Sequence, residues 1–248
     1  LGLNIVCGWN EAEFTMFGVT QRDHEARYEY GQEWIDAIRM MWSHDDQFDF
    51  DGRYIKLKDV RSGPKPFGGT RPLLMNAGAS PSGQDFAARN CDALFSTPRG
   101  VSTIEQFAGE IRKAKNLAAR HGREIDVYSV GVVTCRPTAS EAEEFHRHCI
   151  IDSADWDAVD NILAMKQVNR DNTSAEEYEK LRHKAAHGLG GIPIAGDPDH
   201  VASELARFAG AGLRGIGISF VNYALELPFF CDEVPPRLEH MGLRERRP

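Results

Sequence analysis

Cysteine is scarce and unpatterned in this sequence: Cys7, Cys91, Cys135, Cys149 and Cys231 are odd in number, widely spaced and form no C-x-x-C. That excludes a disulfide framework, and the thiols read as reduced. No run approaches the roughly 18 apolar residues of a membrane span. No basic segment precedes L-G-L-N-I-V-C, so a signal peptide is not expected and the predicted compartment is the cytoplasm. Positive charge is also short. At a formal net charge of -8, neither nucleic acid nor an anionic membrane gains from counterion release, and neither is an expected partner. The basic end, R-E-R-R-P, reads as a solvated tail. No G-x-S-x-G, no G-x-G-x-x-G after a strand and no G-x-x-x-x-G-K is present, so hydrolase, Rossmann and P-loop chemistries lose their main support. His24 stands between Asp23 and Glu25, but adjacent residues converge poorly on one ion and no second cluster has ligand spacing; no metal is expected. The other histidines, among them His146, His148, His183 and His187, fall on polar helix faces and are predicted to be solvated.

What is present is an alternation of short apolar runs with amphipathic stretches, the pattern of βα units and a parallel sheet. Five strands are predicted, at 3–7, 73–76, 93–96, 127–135 and 215–220. Helices are predicted over 28–42, where Tyr30, Trp34, Ile38 and Met41 form an apolar face, and over about 81–90, 103–120 and 198–209. Asp197 and Pro198 suit the N-cap and first position of the last of these. Residues 46–71 read as a hairpin turned at Asp51-Gly52 with a Pro/Gly-rich connector. Residues 138–196 read as a long helical insertion, a candidate lid, with a mobile polar centre at Q-V-N-R-D-N-T-S. A closed (β/α)8 barrel needs eight strands, so five imply either an open sheet or a chain lacking the first part of a longer protein; a start directly in a buried strand favours the second.

Chemistry concentrates in three places. N-A-G-A-S-P-S-G-Q-D-F-A-A-R (76–89) is a small-residue turn between a strand and a helix. Such a turn leaves backbone N–H groups and a helix dipole aimed at one spot, an anion cradle in which Ser80 and Ser82 donate hydroxyls and Gly78 and Gly83 allow close approach. An N-capped helix with a tight turn and no ligand explains the same residues. Asn4 lies within an apolar strand, where a buried amide without partners costs about 1–3 kcal/mol. It meets either a polar ligand or neighbouring backbone. Glu11 and Glu13 follow in the next loop, as acid/base groups or as solvated carboxylates. Arg27 and Tyr28 stand at a helix start, a position unfavourable to a cation and so suggestive of an anionic partner.

Taken together, N-I-V-C-G-W-N-E-A-E-F, A-R-Y-E-Y-G-Q-E-W, F-D-F-D-G-R-Y, N-A-G-A-S-P-S-G-Q-D-F-A-A, G-D-P-D-H-V-A and S-F-V-N-Y resemble the bacterial-luciferase-like flavin monooxygenases, along nearly the whole chain and in the family's order. The similarity is greatest to the dimethyl-sulfone and pyrimidine monooxygenase branches. The resemblance implies a single (β/α)8 TIM-barrel domain over 1–248 whose strands are the fourth to eighth, the first three βα units being absent. It implies reduced FMN, supplied by a separate NAD(P)H-dependent reductase, with Asn4 and Glu13 at the flavin ring and Arg27, Tyr28, Gly78, Ala79 and Ser80 along the ribityl phosphate. It further implies insertion of one atom of O2 into a small organic substrate, and a homo-oligomer; no catalytic acid or base is assigned. Alkanesulfonate-specific members carry an Arg-x-His pair where this sequence has Val130 and Val132, so a neutral sulfone such as dimethyl sulfone, or a ring carbonyl, is expected instead. Deazaflavin (F420)-dependent hydride transfer and a non-catalytic flavin-binding remnant are the alternatives.

Overall fold

The structure, a computed structural model, describes residues 1–98, 103–166, 168, 170, 172–187 and 191–245. Part of Q-V-N-R-D-N-T-S and the end of R-E-R-R-P lie outside the described residues. The chain divides into two compact units, Leu1–Phe95 with Ala114–Asp126, and Ser96–Lys113 with Val127–Pro248.

The first unit runs β1 (Gly2–Ile5), α1 (Glu11–Met16), α2 (His24–Ser43), β2 (Phe48–Asp51), β3 (Lys56–Val60), β4 (Leu73–Asn76), α3 (Pro81–Asn90) and β5 (Ala93–Phe95), and takes in α4 (Ile104–Arg120) from Ala114 onward. β1, β4 and β5 are parallel neighbours in that order, with Ile5 opposite Asn76 and Asn76 opposite Leu94. Leu74, Phe86, Ala87 and Ala93 are fully buried between sheet and helices. In α2 the buried positions are Gly31, Ile35 and Ala37. The predicted face is thus rotated: Tyr30 and Trp34 face a cavity instead of the core. The hairpin forms as expected from Asp51-Gly52. Its turn is held by Glu33 of α2, whose carboxylate accepts from the backbone N–H groups of Arg53, Tyr54 and Ile55 at 2.8–3.0 Å.

Asp92 ties the start of β4 to the start of β5. It accepts from Arg71 at 2.5 and 2.6 Å, from the Leu74 N–H at 2.9 Å and from Arg123 at 3.3 Å. The hydrogen bond from Arg71 is the main reason its carboxyl sits below the usual range, against partial burial. A depressed folded pKa gives stability that is present above the unfolded value, about 3.9, and lost as pH falls through the folded value. Asp92→Asn is therefore expected to lower the urea midpoint at pH 7 and to show less loss of stability than wild type as pH falls below about 4. Parallel pH profiles of the two proteins would contradict this.

The second unit holds β6 (Asp126–Cys135) from Val127 onward, α5 (Ala139–Arg147), a π-helical turn at His148–Asp152, α6 (Trp156–Met165), α7 (Ala175–Ala186), β7 (Ile192–Gly196), α8 (Pro198–Gly210), β8 (Gly215–Ser219) and α9 (Tyr223–His240). β6 is central, with Gly131 opposite Ile192 of β7 and Ile218 of β8, both parallel. β7 corrects the expectation of an all-helical 138–196 segment and of five strands. Pro193 disguised it, since proline has no N–H to give a ladder; here it sits opposite Val132 on a strand whose one partner among the described residues is β6. Asp197 caps α8 by accepting from His200 N at 2.8 Å, with Pro198 first in the helix, as predicted. α9 packs on α8. Its inner face buries Phe230, Val234 and Glu226, the last accepting from Arg136 at 3.1 Å and from Asn222 N at 2.6 Å.

Candidate functional site

The anticipated site residues lie in the first unit, at the carboxyl ends of β1 and β4. Asn76, 2% exposed, donates from Nδ2 to the Ile5 carbonyl and accepts from Gly78 N at Oδ1, both at 2.7 Å. One amide thereby joins the end of β1 to the turn after β4. Ser80 then starts α3: its Oγ accepts from Gly83 N at 3.1 Å, with Pro81 at the first helical position. α2 begins where Asp23 accepts from Ala26 N at 2.8 Å, and its first turns present Arg27 and Tyr28 to the same turn.

Tyr28 explains the glycines. A Cβ on Gly83 would lie 2.5 Å from the Tyr28 hydroxyl and 2.7 Å from the Gly78 Cα; one on Gly78 would lie 2.8 Å from that hydroxyl. The absent side chains thus admit the phenol, and both glycine N–H groups are already donated, to Asn76 and to Ser80. Burial raises the Tyr28 pKa, a hydrogen bond with Ser80 opposing it, so the phenol stays protonated at neutral pH. Ser82 departs from expectation. Its hydroxyl donates to Glu25 at 2.7 and 2.9 Å, a tie between α3 and α2 in place of an anion contact, because its position on the helix faces α2.

Two cavities adjoin this frame. One of about 380 Å³ is lined by Arg27, Tyr28, Asn76, Gly78, Ala79 and Ser80. A larger one of about 600 Å³ is lined by Asn4 and the mainly apolar side chains of Phe14, Val19, Tyr30 and Trp34. Residues Ile5 to Gly8 and Arg27 line both. Arg27 donates from Nη1 to the Arg22 carbonyl at 2.9 Å, while its buried Nε has no partner among the described residues. Burial pushes the Cys7 thiol up to about 11, with Arg27 opposing, so it is a neutral wall of both cavities. Gly8, at φ +82, permits the turn there and leaves room for Phe14, which a Cβ would meet at 2.5 Å.

Asn4 and Glu13 differ from the others. Asn4 lines the larger cavity but is exposed, which corrects its prediction as a buried amide. β1 has β4 as its one partner among the described residues, so one edge of the strand is uncovered. Glu13 lies on α1, a helix where a loop was expected, accepts from Asn10 Nδ2 at 3.0 Å and lines neither cavity. Asn76 was the residue that sequence reasoning missed, although a polar residue closing an apolar strand was a signal for it.

The model of the luciferase-like monooxygenase family matches residues 1–215. The chain belongs to that family. This luciferase-like protein is 29% identical over 249 residues to the FMNH2-dependent dimethylsulfone monooxygenase of Pseudomonas fluorescens, covering 97% of this chain and 66% of the relative. It is 32% identical over 245 residues to the pyrimidine monooxygenase RutA of Variovorax paradoxus, covering 96% and 64%. The chain thus spans just under two thirds of the length of these relatives. Among solved structures, DmoA from Hyphomicrobium sulfonivorans superposes with a TM-score of 0.82 at 18% identity, over 99% of this chain and 63% of that one. That likeness is one of fold: the luciferase-like α/β arrangement around parallel strands.

Proposed function

We propose that this luciferase-like chain forms the flavin-binding part of a monooxygenase that uses reduced FMN, delivered by a separate NAD(P)H-dependent reductase, to insert one atom of O2 into a small neutral substrate such as dimethyl sulfone. A (β/α)8 barrel is the frame we propose for its strands, and a homo-oligomer in the cytoplasm its working form. The observation that carries this is the pairing of cavities through Arg27, a smaller one walled in part by Arg27, Tyr28, Asn76 and Ser80 and a larger, mainly apolar one. That shape suits a ligand with an anionic tail and a planar ring.

The residues present fit the group. The unpartnered, buried Nε of Arg27 is a donor awaiting an acceptor, and leaving it so costs about 1–3 kcal/mol, more for a charged group. A phosphate supplies the acceptor and the opposite charge. Ser80, whose oxygen accepts from Gly83 N and whose hydroxyl is shared with Tyr28, lines the smaller cavity beside Arg27. The small side chains of Ala77 and Ala79 line the same cavity without filling it, and Tyr28 packs against the turn as a neutral phenol. Asn4 faces the larger cavity and is our candidate for a ring contact; Glu13 would need α1 to shift to join it. When bound, reduced FMN supplies the electrons that divide O2 between substrate and water. Phe14, Val19 and Trp34 give the space beside it an apolar wall.

Anaerobic titration with reduced FMN is expected to shift the backbone amide signals of Gly78, Ala79 and Ser80, and oxygen uptake with NADH and a flavin reductase to rise on adding dimethyl sulfone. Failure to bind reduced FMN would overturn the assignment. Binding without sulfone-dependent uptake would overturn the substrate alone.

A further inference from the structure

The sequence predicts solvated histidines on α5 and α7, and the structure places two of them face to face. His146 of α5 and His187, the C-cap of α7, bring their Nε2 atoms to 2.8 Å, with ring centroids 4.7 Å apart and planes tilted by 34°. They are 41 residues apart in sequence, so this is a tertiary contact within the second unit. It is part-buried. The His187 ring is also held from behind, Nδ1 donating to the His183 carbonyl at 2.7 Å. That bond fixes the tautomer. With its proton at Nδ1, neutral His187 carries its lone pair at Nε2, directed at His146.

We infer that His146 and His187 form a two-imidazole binding site for a divalent transition-metal ion of the zinc, cobalt or nickel class, joining α5 to α7. The arrangement on His187, one nitrogen donating to a carbonyl and the other presenting its lone pair, is how protein imidazoles are oriented toward metals. In the metal-free pair a single proton lies between the two Nε2 atoms, donated by His146. A metal ion takes the place of that proton, which His146 regains from solvent at Nδ1, so that both rings ligate as neutral imidazoles with no net proton release. With metal–nitrogen bonds of about 2.0–2.1 Å at a tetrahedral angle, the nitrogens stand about 3.3 Å apart, so the rings need separate by only about half an ångström. Imidazole pairs select borderline transition metals, while magnesium and calcium require oxygen ligands. Burial lowers the proton affinity of both rings, which keeps the lone pairs available at neutral pH. No third His, Cys, Asp or Glu completes a cluster among the described residues, so water fills the remaining positions and the affinity is below that of a structural zinc site.

The test uses Zn2+ alone, then Co2+ as a spectroscopic probe, on metal-stripped protein. One equivalent of Zn2+ is expected to bind by calorimetry, to raise the melting temperature, and to move the ring resonances of two of the nine histidines in the native protein. His146→Ala and His187→Ala should each weaken binding by at least about tenfold, which is 1.4 kcal/mol. His183→Ala should not, because its contribution is a backbone carbonyl. Should either histidine variant fail to fold, the native ring resonances decide. Zn2+ that leaves the His146 and His187 resonances in place, or binds the double variant as tightly as wild type, overturns the site.

Discussion

Arg27→Ala should weaken the binding of reduced FMN by roughly 10- to 100-fold, the equivalent of losing one hydrogen bond to a charged group at about 1.5–3 kcal/mol. The effect is large because the guanidinium is half-buried: its Nη1 is anchored on the Arg22 carbonyl at 2.9 Å, its Nε is without a partner, and it lines both cavities. Lysine is not equivalent, since it offers a point charge without the planar donor edge. Arg27→Lys is expected to recover only part of the affinity. Ser80→Ala should have a smaller effect on affinity and also remove the cap of α3, costing about 1 kcal/mol of stability. Anaerobic titration of the three variants separates these terms. An Arg27→Ala protein that binds as tightly as wild type would move the phosphate elsewhere.

Phe86→Ala should lower folding stability by about 3–5 kcal/mol, the usual range for emptying a buried aromatic position. Phe86 is 0% exposed and its ring centroid lies 5.9 Å from that of Tyr28. It also packs against α2, where a Cβ on Gly31 would come within 3.6 Å of it. The same ring therefore supports both the α2–α3 packing and the side chain that meets Gly78 and Gly83. Urea denaturation is the measurement, with an unchanged m-value showing that the native state is merely less stable. Phe86→Leu, which keeps most of the volume, should cost less than half as much. A loss below about 1 kcal/mol for the alanine variant would mean that the surroundings collapse onto the cavity.

Much of the frame around the site was legible. The strand at 73–76 and the helix at 81–90 appear with the predicted boundaries, because an apolar run, a small-residue turn and a Ser-Pro start are all local signals. Arg27 and Tyr28 line one cavity with Gly78, Ala79 and Ser80, the residues that the resemblance places along the ribityl phosphate. Asn4 was misjudged because its run, L-N-I-V-C, looks the same in a covered strand and in one with an open edge. β7 was missed because proline weakens the strand signal whatever its partners are. Glu13 and Ser82 were given a plausible chemistry by type and neighbourhood, but helix phase turned each toward a different partner.

By itself the order of residues determined most of the turns, the strands and helices other than β7 and α1, and that small side chains and a hydroxyl stand at one helix start. Those properties depend on neighbours within about four positions, where backbone sterics and capping act. Only the tertiary structure decided that Asn76 reaches Ile5 across 71 residues, that a phenol rests on the glycine pair, and that His146 meets His187. Such contacts depend on how whole elements pack, and a one-residue change in helix phase, a rotation of about 100°, or a one-residue slip of strand register would abolish them while leaving every local signal in place.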